Sequence, residues 1–315
     1  MRYSRTAVAS LALGCLITTS GCTEWFKRLG QTQHAEDSNF IPPTPEQLVA
    51  YLNRQSSPVQ SIFVEDVTLE ARKGLFSAPA MRGWMVCHKP RHFRLQGSVS
   101  GHPGVDIGSN SDEFWFWVNQ SDGDKPMPLL HCRHDEASRA QLPFPFHPDW
   151  VLEAMGMATY GPAERYKVNV PNRGDTIELI EDSYSPQGQP VRKVTVFARR
   201  NTGGAAPQVR SRLLTDMRGK EISSIHIEEV RLDPSGVVVP RQVRLEYPAE
   251  RVTMHLTLDT ISVNGSVTDQ RLATWFTRPT LSGIQTVNMA RVSPPPGQPA
   301  SQPRPFGGAF RGLMK

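Results

Sequence analysis

"PRHFRLQGSVSGHPGVDIGSNSDEFWFWV", residues 90–118, is the stretch whose reading decides the fold. Short alternating runs are separated by Gly, Pro, Ser and Asn, which gives consecutive strands joined by tight turns. In the last run Phe114, Phe116 and Val118 fall on one side and Trp115 and Trp117 on the other, because successive strand side chains alternate. A strand apolar on both sides is covered twice, or covered once with a cavity on its other face. These strands therefore belong to the middle of a sheet.

Upstream, "SIFVEDVTLEAR" (61–72) alternates with one phase slip near Asp66, where a bulge is expected, and "MRGWMVCHKP" (81–90) adds Trp84. Before them, "TPEQLVAYLNRQSS" (44–57) predicts a helix. Thr44 is a cap, Pro45 suits the first helical position, and Gln47 completes the capping-box spacing. Leu48, Tyr51 and Leu52 share one face of it and should be buried.

Downstream, a second helix is expected within "FPFHPDWVLEAMGM" (144–157), opening at Pro148 and Asp149 and closing at Gly156. Trp150, Val151, Ala154 and Met155 form its apolar side. Strands then resume to about residue 263, broken by turn text such as "NRGD", "PQGQP" and "DPSG". Val243, Leu245 and Tyr247 alternate with Arg244 and Glu246, so one face of this later sheet should be wet.

The first residues differ in kind. "LALGCLITTSGCTEW" (11–25) follows a short basic segment, and its apolar run is too short to span a bilayer, so residues 1–21 read as a signal peptide. Thr19-Ser20-Gly21 before Cys22 resembles a bacterial lipobox, which makes Cys22 the expected lipidation site, with Cys15 as its rival. Residues 22–43 would be a lipidated tether, because two or three acyl chains hold a protein at a membrane durably. Thr23 is not the Asp associated with inner-membrane retention in enteric bacteria, which favours the outer membrane. At the far end, residues 277–315 are rich in Pro and Gly and read as a disordered tail beyond a domain spanning 44–276.

The composition is that of an ordinary globular chain, with 38% hydrophobic residues and a formal charge of +5. Loss of residues 1–21 takes away Arg2 and Arg5 and no acid, lowering the charge to +3. The basic residues form no stripe, which argues against nucleic acid. An exported chain permits a Cys87–Cys132 disulfide, but nothing in the sequence brings the two within bridging distance, so bridged and free states both stay open. "HCRH" (131–134) lacks the four-ligand spacing of a structural zinc site. No nucleophile-elbow, metalloprotease, Walker or dinucleotide pattern occurs, so no catalytic residue, metal or cofactor is assigned, and the chain reads as a non-enzyme.

What the chain does carry is a concentration of aromatic and apolar side chains, the kind that builds cores and lines pockets for acyl chains. Trp84, Phe93, Leu95, Phe114, Trp115, Phe116, Trp117, Trp150 and Met155 are the candidate cavity lining. Together with "LPFPFHPDWVLEAMGM" (142–157) and "VPRQVRLEYP" (239–248), residues 90–118 resemble the LolA/LolB-like proteins of the bacterial envelope. The resemblance implies a mainly β (α+β) fold: a curved antiparallel, incomplete β-barrel covered by two or three helices. It also implies an apolar cavity that binds lipid or acylated lipoprotein, in a receptor branch that is itself lipidated. Residues 73–80 and 158–164 are the candidates for the exposed apolar loop of that branch. The expected protein is an outer-membrane lipoprotein facing the periplasm, with lipid or lipoprotein acyl chains as ligand. The alternative is a non-transporting envelope scaffold that meets a protein partner through the tail around Phe306 and Phe310.

Overall fold

We describe a computed structural model over residues 40–119, 121–122, 125–140, 148–172, 174–200, 208–265 and 268–291. The signal peptide, Cys15, Cys22, Phe144, Phe146, Phe306 and Phe310 lie outside the described residues.

Helix α1 (Pro45–Ser56) begins as its sequence dictates. The Gln47 amide donates to the Thr44 hydroxyl oxygen, and the Gln47 side chain accepts from the Thr44 amide. Leu48, Val49 and Leu52 are buried, and Tyr51 packs edge-on against Phe197.

Strands β1 (Ser61–Lys73), β2 (Phe76–Ser77), β3 (Met81–His88), β4 (His92–Val99), β5 (His102–Ser109), β6 (Glu113–Val118) and β9 (Leu129–Arg133) form the first half of the sheet. β7 (Ser121–Asp122) and β8 (Lys125–Pro126) make a separate small hairpin. The bulge expected near Asp66 is present, since the β1–β3 register shifts between Val64 and Val67. The second half runs through β10 (Tyr166–Asn169), β11 (Thr176–Tyr184), β12 (Pro190–Ala198), β13 (Val209–Asp216), β14 (Glu221–Leu232), β15 (Val238–Tyr247) and β16 (Val252–Val263). β16 pairs with β1, joining the halves into one 15-stranded antiparallel sheet. Only at its far edge does the direction change, where β17 (Thr286–Asn288) adds in parallel to β9.

The sheet is open but curled. β10 and β17 end the ladder, and among the described residues no pairing joins them. Phe116 on β6 nevertheless packs with Tyr247, Val252 and Leu245 near β15 and β16. Six ladder steps separate β15 from β6, roughly 29 Å in a flat sheet. Contact across that span requires the sheet to bend into a trough.

Helix α2 (Pro148–Ala154) crosses the trough. It ends as its glycine predicts: Gly156 adopts φ +73°, its amide donates to the Glu153 carbonyl, and the Met157 amide donates to Leu152. Leu152, Met155 and Met157 join the main core, together with Ile62, Val64, Val67, Met85, Phe93, Leu95, Val105 and Leu258 from the concave face.

The outer face differs between the halves. Over β14–β16 it is wet, with Arg244 bonded to Glu228 and Glu246, and Arg241 to Glu229 and Asp259. Over β1–β9 it is covered by helix α3 (Asp269–Trp275) and the segment after it. Leu281 and Ile284 pack there on Trp115, Trp117 and Leu129, while Met289 is buried on the opposite face beside Phe114 and Cys132. Residues 277–291, which the sequence assigned to the tail, are thus part of the folded body. Leu281 and Ile284 cover the Trp face of β6 and Met289 closes the end of its Phe114 face, cover that a domain ending at 276 would lack.

Candidate functional site: a trough strapped by one helix

Strand register decides which candidate residues meet. Ile62, Cys87, Phe93, Ser109, Phe114 and Cys132 lie in one cross-strand row, and Val64, Met85, Leu95, Ile107, Phe116 and Leu130 in the next. Both rows face the trough. Phe93, Leu95, Phe116 and Met155 therefore come together in one cluster, with Phe114 at the end of the same face. The two cysteines sit in one row but four ladder steps apart, roughly 19 Å along the sheet, well beyond bridging reach. Both are free and buried, and burial pushes the thiols up to about 12 for Cys87 and about 11 for Cys132.

Trp84, Trp115 and Trp117 face the other way. Trp84 packs with Phe63 and Trp275, the latter two stacked at 5.0 Å. Trp115 lies across β5 because residue 108 is glycine: a Cβ there would come within 2.2 Å of the Trp115 ring. The Trp115 indole N–H donates to Asp106 at 2.9 Å. The same carboxylate accepts from Arg94 twice, at 3.2 and 2.7 Å, and from Gln96 at 2.6 Å. Arg94 Nη1 reaches on to the carbonyls of Thr274, Trp275 and Thr277, and Asn110 to that of Phe276. This buried network holds the carbonyl end of α3, where intrahelical donors run out. The three tryptophans are thus core of the outer layer, and they do not line the trough.

On the concave side, α2 is tied at both ends. Asp149 pairs with Arg91 at 3.0 Å beside the β3–β4 turn, and Glu153 bonds Arg212 of β13 at 3.4 Å and Lys193 of β12 at 3.3 Å. Beneath that second tie is a pocket lined by Trp150, Glu153, Lys193, Arg212, Leu214, Ser223 and Ile225, with about 350 Å³ of atom-free space, part of it open to solvent. Trp150 is the one residue of the expected lining that borders it.

Arg212 is buried and makes further bonds to the Tyr160 hydroxyl and to Thr195 Oγ1 at 3.3 Å. Burial raises the Tyr160 phenol above its ordinary range, so it is a neutral partner at any physiological pH. Tyr160 also receives its own anchor, since Asn53 of α1 bonds its amide and carbonyl. Arg212, Lys193, Glu153 and Tyr160 were not foreseen. The one signal was phase: Arg212 shares strand parity with Leu214, a charge set where the pattern wants an apolar residue.

Of the two candidate loops, 158–164 turns inward through Tyr160. Residues 73–80 instead present Leu75 at 99% and Phe76 at 63% exposure. Burial, with repulsion from His88, lowers the His92 imidazole below its ordinary range, and burial lowers His134.

Helix α1, a curled unclosed antiparallel sheet and a helix across its concave side make the curved, incomplete barrel with covering helices that was expected. No protein-family model and no curated protein matches the sequence. Among solved structures the chain is similar to a DUF1329 family protein from Desulfovibrio piger, at 9% identity and TM-score 0.48, covering 71% of this chain and 94% of that one. A putative outer membrane lipoprotein-sorting protein domain from Vibrio parahaemolyticus gives 9% and 0.47, covering 72% and 95%. A LolA superfamily protein from Nitrosomonas europaea gives 12% and 0.46, covering 75% and 99%. The likeness is one of fold.

Proposed function

We propose that this protein is a non-enzymatic lipoprotein of the cell envelope, anchored through Cys22, that takes an acyl chain of a lipid or lipoprotein into the trough beneath α2. The observation that carries this reading is the strap itself. A seven-residue helix, pinned by ion pairs at its two ends, and the turn that follows it supply Leu152, Met155 and Met157 as the cover of an apolar concave face. An acyl chain can replace that cover without exposing the face to water, gaining about 25 cal/mol for each Å² it buries. Exposed Leu75 and Phe76 offer a contact for the lipid surface from which such a chain would come.

A second reading rests on a specific observation as well. Phe93, Leu95 and Met155 are 2–6% exposed and closely packed, as in a finished core. An envelope scaffold with a filled interior would look the same.

Native mass spectrometry of the protein purified from membranes separates the two. A co-purifying acyl ligand is expected, and Trp150→Glu should lose it while staying folded. Trp117→Glu should lose stability instead, because Trp117 is core of the outer layer. Consistent absence of ligand supports the scaffold.

A further inference from the structure

The polar end of the pocket is unevenly charged. Lys193 and Arg212 share one carboxylate, Glu153. Glu181, across the ladder from Lys193, is taken by Arg165. Among the described residues one positive charge is therefore left over beside apolar Trp150, Leu214 and Ile225. The Arg212 side chain is 8% exposed, and among the described residues its Nε is buried without a hydrogen-bond partner. A guanidinium N–H sealed from water in this way forfeits the bonds it would make in solvent, unless a ligand supplies an acceptor. Ser223 adds a hydroxyl on the same wall.

We propose that this corner binds the oxyanion of an acidic amphiphile, a carboxylate or phosphate ester, whose chain continues along the trough under α2. The inference rests on the acyl-binding reading above and adds the class of headgroup. Arg212 and Lys193 are the cationic partners, matching oxygen acceptors through charge-assisted hydrogen bonds. Glu153 competes with the ligand for both, so ligand entry loosens the tie that holds the C-terminal end of α2.

Calorimetric titration of the full chain tests this with four probes below their micellar concentrations: laurate, dodecyl phosphate, neutral monolaurin and inorganic phosphate. Laurate and dodecyl phosphate should bind roughly tenfold or more tighter than monolaurin, the discrimination expected of a hydrogen-bonded charge. Inorganic phosphate should bind far more weakly than dodecyl phosphate. Arg212→Gln should bring the ratio of laurate to monolaurin affinity close to one. Lys193→Gln, at a partly exposed position that tolerates change, should reduce the ratio by a smaller factor. Equal affinity for laurate and monolaurin, or a ratio unchanged in both variants, overturns the headgroup assignment while the acyl-binding reading stands. Phosphate binding as tightly as dodecyl phosphate overturns it in favour of a free-anion site. Failure of every amphiphile to bind overturns both.

Discussion

Asp106 shows how far a single side chain can act in this molecule. Its carboxylate accepts from Arg94, Gln96 and Trp115, and through Arg94 it fixes the end of a helix 180 residues beyond that arginine in sequence. Removing it strands a guanidinium that is 7% exposed. Breaking a buried pair by deleting one partner costs about 3–5 kcal/mol, so Asp106→Ala should lower the unfolding free energy in urea by that order. A loss below about 1 kcal/mol would show that the network holds nothing. In sequence, Arg94 lies between Phe93 and Leu95 and reads as an ordinary outward charge on a half-wet strand. Its burial depends on a cover that arrives much later in the chain, which no local pattern announces. The Thr44–Gln47 capping box and the Phe/Trp alternation of 114–117 depend only on neighbours, and both were legible.

Among the elements, the same division holds. Helix α2 is written in its own residues, from Pro148 at its start to the left-handed Gly156 after it. The β1 bulge shows as a slip of phase. The segment 277–291 was misassigned because its one strand has three residues and pairs in parallel with β9, far away in sequence. Short pairings of this kind leave no periodic trace. A chain ending at Phe276 keeps α3 but loses Leu281, Ile284 and Met289 from the Trp115 and Phe114 faces. It should unfold with up to about 4–9 kcal/mol less free energy than the full chain, given roughly 1.5–3 kcal/mol for each of three large apolar side chains when fully buried. Equal stability of the two would place the domain end at 276 after all.

At the scale of the whole molecule, a sheet of this breadth with little helix to cover it curls over its own apolar face; the strands and their alternation were legible in the sequence, and the curl was what the resemblance implied. Which aromatics face the trough did not follow, since register and the outer cover assign Trp84, Trp115 and Trp117 to the opposite layer. The polar corner at Arg212 was missed for a related reason: α2 and the turn holding Tyr160 pack onto the paired strands β12 and β13 only in the folded molecule. The central claim is that an acyl chain lies in the trough beneath α2. Photocrosslinking the full chain with a diazirine-bearing fatty acid, followed by peptide mapping, tests it most directly. Label should concentrate on residues 148–157 and on Ser223 and Ile225, which border the pocket and the concave core. Label confined to exposed Leu75 and Phe76, or spread over the wet outer face of β14–β16, would contradict it.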